Sequence, residues 1–168
     1  MTAASGKSWP HMTSREEFRF LSDLVFTRSS ADQTIVRLHD HHAGTTRFAN
    51  NQVVQNVDTR RGLLSVSVAS HGRHGTASTT DFTAGAIQDA VTRAERIARV
   101  SPVDPEYLPP PDPCAFPMRA TVRSETVGAG PARRLEYTNE AISQCRMENL
   151  MAAGVVSSAV TETERSAA

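Results

Sequence analysis

Lysine is almost missing from this 168-residue chain: Lys7 is the sole lysine, and the other basic side chains are arginine. We read that as a compositional bias of the source genome. Net charge is missing too, with 18 basic against 18 acidic residues. A dedicated nucleic-acid binder carries a basic excess, so that class is set aside. Cysteine is scarce: Cys114 and Cys145 stand alone, with no CxxC, which excludes a disulfide framework and a zinc-finger pattern. No apolar run approaches the roughly eighteen residues of a membrane span. Met1 to His11 has no apolar stretch of a secretory leader. The expectation is a reduced, cytoplasmic protein with no membrane partner. Aromatics are only 5%, but hydrophobic residues reach 39%, enough for the core of one ordinary domain.

Residues 1–13 are small, polar and aperiodic, and are expected to form a flexible N-terminus. Ser14-Arg15-Glu16-Glu17 has the form of a capping box, and Phe18, Leu21, Leu24 and Val25 follow at helical spacing. A helix over residues 15–27 is predicted. Strands are expected at 34–38 and 46–57, separated by a polar turn at Asp40–Gly44, with a bend or bulge at Asn50-Asn51. A turn at 58–62 leads to Leu64, Val66 and Val68, which alternate with Ser65 and Ser67 as in a half-buried strand. A tight turn around Gly72 precedes a strand of small residues, Gly75–Thr79. An antiparallel meander is the simplest reading, because the connections are too short for parallel crossovers. Asp81 or Thr83 can cap the next helix, where Ile87, Ala90, Val91, Ala94, Ile97 and Ala98 share one face. Its alanines let it approach the sheet closely. Residues 101–117 carry seven prolines and read as an extended linker. A helix over 133–151, a stop at Gly154 and a strand from Val155 follow. The fold class expected is α+β: an N-terminal helix, an antiparallel β-meander packed by helices, a proline-rich linker, then a helix and strand that begin an incomplete second region. The divisions are 1–13, 14–100, 101–131 and 132–168.

His39-Asp40-His41-His42 is the densest group of possible metal ligands, since imidazole and carboxylate suit zinc, nickel or copper. In a turn the same residues are ordinary solvated polar groups, and adjacent positions point to opposite sides. His71 and His74 flank the next turn as solvated residues. Asp23, Asp32, Asp58 and Asp81 fall at expected element ends, where caps and turns use aspartate. Ser5-Gly6-Lys7-Ser8 echoes a phosphate loop, but its first glycine position is Met1 and no strand precedes it. Gly72-Arg73-His74-Gly75 leads into a strand, so it offers no helix N-terminus to a phosphate. There is no GxSxG, HExxH or HExxxH. No catalytic residue is assigned. Cys145 reads as a small core residue.

Thr46-Arg47-Phe48-Ala49-Asn50-Asn51, Gln55-Asn56-Val57, Leu64-Ser65-Val66-Ser67-Val68 and Gly72 through Asp81 together resemble the N-terminal domain of the TldD/PmbA family, metallopeptidases once called modulators of DNA gyrase. The helix after Thr83, the Asp104-Pro105-Glu106 linker and Ala152-Ala153-Gly154 fit in the same order, so the resemblance spans about residues 14–162. It implies a cytoplasmic, metal-dependent hydrolase acting in proteolysis of peptides or unfolded segments. It also implies a homo- or heterodimer of family subunits, often with metal in only one. The family's HExxxH and distant cysteine ligand have no counterpart here, and neither Cys114 nor Cys145 matches. Zinc is therefore expected for the full-length enzyme and no cofactor for this chain. The expected function is that of a non-catalytic N-terminal portion that helps build the dimer and the peptide path. The alternative is a stand-alone peptide- or protein-interaction module. Arg47, Asn50, Asn51 and Arg73 are candidates for substrate or interface contact, and His39, His41 and His42 for metal.

Overall fold

The computed structural model of the chain describes residues 13–108 and 124–168. The expectations for residues 1–12, for Cys114 and for most of the proline-rich linker lie outside the described residues. The elements run α1 (Arg15–Arg28), β1 (Gln33–Ala49), β2 (Gln52–Ser70), β3 (Arg73–Thr79), α2 (Ala84–Val100), a short α3 (Ser124–Val127), α4 (Pro131–Met147) and β4 (Gly154–Ala167). The strands form one four-stranded sheet in the order β3-β2-β1-β4. This is the α+β meander with helices that the alternation and helical spacing predict.

The chain divides into two compact units. Among described residues the first holds 13–40, 62–108 and 162–168, and the second holds 41–61 and 124–161.

In the first unit, α1 starts as the capping box predicts. Ser14 Oγ accepts from the Glu17 amide at 3.2 Å, and Glu17 Oε2 accepts from the Ser14 amide at 2.7 Å. Two of the four orphan amides of a helix start are thereby satisfied. Phe18, Leu21 and Val25 of α1 pack with Val36 and Leu38 of β1, Leu64, Val66 and Val68 of β2, and the Ile87–Ala98 face of α2. Each large aliphatic side chain buried this way contributes about 1.5–3 kcal/mol. Thr83 caps α2, accepting from the Ala86 amide at 3.4 Å. At Gly75, where β3 meets α2, an added Cβ would stand 2.0 Å from the Ala94 carbonyl oxygen and 2.5 Å from the Ala98 nitrogen. The alanine-rich face does allow the close approach, and a glycine on the strand completes it. Thr13, expected in the loose terminus, is buried, and its amide and hydroxyl donate to Asp40 Oδ2 at 2.8 and 3.0 Å.

Four expectations change. Asp40–Gly44 is not a turn but the middle of β1, and 58–62 lies inside the 19-residue β2. Asn50-Asn51 is not a bulge but the reversal between these strands. Both residues have positive φ, 51° and 59°, which a primed hairpin turn needs and asparagine tolerates. His71 and Gly72, at φ 52° and 70°, make the same kind of reversal between β2 and β3, with Ser70 paired to Arg73. In the second unit α4 stops at Met147, and Asn149 at φ 54° takes the left-handed stop expected at Gly154. Gly154 instead opens β4, where a Cβ would meet the Phe48 ring at 2.9 Å.

Candidate functional site

The buried side of α4 is polar. Arg134, Thr138 and Ile142 recur at every fourth residue and are the buried positions of this helix. Arg134 is only 2% exposed, although arginine is seldom buried without a partner. Its Nη2 donates to Asp58 Oδ2 at 2.6 Å and to Asn56 Oδ1 at 3.4 Å. Its Nη1 donates to the Ala129 carbonyl and to Ser158 Oγ, both at 3.1 Å. Nε has no partner among the described residues. Gly44 makes room for the head group, since a Cβ there would stand 2.0 Å from Nη1.

The network continues outward within the second unit. His42 Nε2 lies 3.3 Å from the other oxygen of Asp58. Thr46 Oγ1 donates to Asn56 Oδ1 at 3.0 Å, and Ser158 Oγ donates to the Ala129 carbonyl at 3.0 Å. Thr138 Oγ1 donates back to the Arg134 carbonyl at 2.9 Å. Asp40, His42, Gly44 and Thr46 are alternate residues of β1, so they share one side of the strand. A buried cation held by one carboxylate and three neutral oxygens fixes geometry more than it adds net stability. With Asp58 shared by Arg134 and His42, and Ser158 Oγ engaged at both ends, the cluster holds an anchor rather than an activated nucleophile. Arg133 faces the other way and is exposed. It bonds Glu136 at 2.6 Å and lies 4.6 Å from the Tyr137 ring centroid. Its pKa is raised by the Glu136 bond and then by Tyr137.

The sequence-derived candidates separate. His39 Nδ1 faces Thr163 Oγ1 at 3.3 Å and His41 Nδ1 faces Thr161 Oγ1 at 2.8 Å, on one side of β1. His42 points to the opposite side, toward Asp58. No group of three or more His, Cys, Asp or Glu side chains able to hold a metal ion occurs among the described residues. Arg47 and Asn50 are exposed. Asn51 ties the hairpin tip to the chain after α4. Its Nδ2 donates to the Leu150 carbonyl at 3.0 Å, its Oδ1 accepts from the Ala152 amide at 2.7 Å, and its carbonyl accepts from Arg146 Nη2 at 2.7 Å. Arg73 donates to the Ser101 carbonyl at the end of α2. Sequence reading missed Arg134, Asp58, Asn56 and Ser158 as a group. The available signal was the Arg134–Thr138–Ile142 spacing on a helix with few apolar residues.

Residues 35–98, from β1 through nearly all of α2, match the family model of the PmbA/TldA metallopeptidase domain 1. No curated protein sequence matches the chain. Among solved structures, TldE from Thermococcus kodakarensis superposes with a TM-score of 0.66 at 16% identity, covering 88% of this chain and 33% of that one. A Thermotoga maritima protein designated a candidate modulator of DNA gyrase gives 0.70 at 14% identity, covering 89% and 35%. A Bacteroides thetaiotaomicron protein of the same designation gives 0.57 at 17%, covering 93% and 36%. These likenesses establish a shared fold. The chain spans about a third of the length of the structures it matches. No helix among the described residues is long and apolar enough to cross a membrane. The family match runs through residues of both units, and over residues 35–98 the chain is similar to the first domain of the PmbA/TldA metallopeptidase family.

Proposed function

We propose that this chain is a non-catalytic N-terminal portion of a TldD/PmbA-type metallopeptidase, contributing to dimer assembly and to the path of a peptide or unfolded protein substrate in proteolysis. The observation that carries the reading is the family match over residues 35–98. In this reading the metal chemistry named in the family description, with zinc as the expected ion, belongs to other parts of the family protein. The chain then works in the cytoplasm, in a homo- or heterodimer with a family subunit, without nucleic acid or membrane. Arg47, Asn50, Asn51 and Arg73 remain the candidates for substrate or subunit contact. Asn51 and Arg73 reach that role through backbone they hold in place. Sedimentation velocity of the chain, alone and mixed with a full-length family subunit from the same cells, tests the reading. Co-sedimentation is expected. A monomer that associates with no family subunit overturns the assembly role.

A second reading, a stand-alone peptide- or protein-interaction module, is favoured by β4 being an outermost strand of the sheet. Its backbone edge can accept an extended segment. Capture of a partner unrelated to proteolysis, with no family subunit in the complex, selects it.

A further inference from the structure

The outermost strand of the first unit carries charges of one sign on each side. Thr34 and Ala168 exchange both backbone hydrogen bonds, at 2.7 and 2.9 Å, which sets β4 antiparallel to β1. The His39–Thr163 side-chain bond obeys the same register. Arg37 then stands directly opposite Arg165, at a site without backbone bonds between the pair, where side chains come closest. Like charges directly opposite destabilise a sheet. Neither arginine has a hydrogen bond or ion pair among the described residues, and both are exposed. Val36, Leu38, Leu64, Val66 and Val68 point into the core, so Arg37, His39, Ser65 and Ser67 share the outward side of the sheet, with Thr163 and Arg165. No carboxylate occurs on that side of β1 from Gln33 to His39, of β2 from Leu63 to Ala69, or of β4 from Thr163 to Ala167. The other side of β4 carries Glu162 and Glu164, which also lack partners among the described residues.

The backbone adds direction. Because the even-numbered residue Ala168 bonds to β1, the amides and carbonyls of Thr163 and Arg165 point to the outer edge, which no described strand pairs. We propose that this edge takes up an extended peptide whose side chains alternate acidic and basic. Its acidic residues lie on the outward side against Arg165 and Arg37, and its basic residues lie beside Glu162 and Glu164. Backbone pairing supplies affinity and the alternating charges set the register. A second copy of β4 is a poor occupant. In a strand-to-strand pair opposite residues share a side, so no glutamate of one copy could face Arg165 of the other. The inference rests on the reading of this chain as a peptide-handling domain.

The test is fluorescence anisotropy with three labelled extended peptides: one alternating glutamate and lysine, one of the same composition in two blocks, and one neutral. The alternating peptide is expected to bind roughly tenfold tighter than the block peptide, with affinity falling as salt rises. Arg37→Gln and Arg165→Gln should each remove most of that advantage, about tenfold, while thermal melting does not fall, because both sites are exposed and each change relieves the repulsion between the two arginines. Arg165→Glu should weaken the alternating peptide further. Equal binding of alternating, block and neutral peptides, unaffected by these variants, overturns the charged edge and leaves peptide handling standing. Failure to bind any peptide overturns both.

Discussion

Replacing Asp58 by asparagine keeps the shape of the Arg134 anchor and removes its only countercharge within bonding distance among the described residues. The guanidinium is 2% exposed, and its shortest bond, 2.6 Å, goes to Asp58. Leaving a buried charge without its partner costs about 3–5 kcal/mol in a fully closed site. The Asp58 side chain is 29% exposed, so water reaches one end of the pair and the cost falls to roughly 2–3 kcal/mol. For a chain of this length each kcal/mol moves the melting temperature by about 2–4 °C, which places the expected drop at roughly 4–12 °C. Urea unfolding and a thermal scan of Asp58→Asn read it directly. Arg134→Met should cost less, since the carboxylate left behind can be hydrated while the reverse is not true. The double variant Arg134→Met with Asp58→Leu should regain most of the loss, as apolar replacement of a buried pair often does. A cost for Asp58→Asn below about 0.5 kcal/mol would refute the reasoning, because surface substitutions commonly fall in that range. So would a larger cost for Arg134→Met than for Asp58→Asn, which would assign the anchor to packing of the arginine stem.

Three further outcomes follow from single contacts. Gly75→Ala places a methyl 2.0 Å from the Ala94 carbonyl oxygen, where only movement of α2 gives relief, and should cost about 2–3 kcal/mol in chemical denaturation. Gly44→Ala collides with Arg134 Nη1, a side-chain end that four hydrogen bonds hold in place, and should cost about 1–3 kcal/mol. Asn50→Gly should be neutral within about 0.5 kcal/mol, whereas Asn51→Gly loses the bonds to Leu150 and Ala152 and should cost roughly 1–2 kcal/mol; a denaturant titration of the two side by side separates turn propensity from the latch.

Where one side of an element is apolar, its reading from sequence holds. The capping box at Ser14 and the Ile87–Ala98 stripe place α1 and α2 almost to the residue, and Leu64, Val66 and Val68 place the inner part of β2. The middle of β1 was hidden for a physical reason. Its inward positions in the second unit are His42, Gly44 and Thr46, because what they face is the polar Arg134 network rather than an aliphatic core. A strand whose inward positions are a partly exposed imidazole, a glycine and a hydroxyl has the composition of a turn, so Asp40–Gly44 read as one. The same network disguised α4, whose buried residues include an arginine and a threonine. The individual candidates His42 and Asn51 were legible as polar residues in special places. Their partners were not, because Asp58, Leu150 and Ala152 come to them only through the hairpin and the return of the chain.

Pairing of β4 with β1 also sets an order of events during synthesis. His39 and Thr163 touch across the strand pair but are 124 residues apart in the chain. A ribosome adding about 5–20 residues per second takes roughly 6–25 s to travel that distance. Throughout that interval β1 can pair with β2 on one side while its other backbone edge stays open. An open edge of this kind is where nascent chains mispair or are bound by a holding partner. The closing contact is also long-range, so its loop entropy must be met after the meander and α2 have formed. For this four-stranded sheet the slowest step in folding is then expected to be the arrival of β4, and chains halted before Gly154 should aggregate along β1 while retaining a folded α1–α2 core.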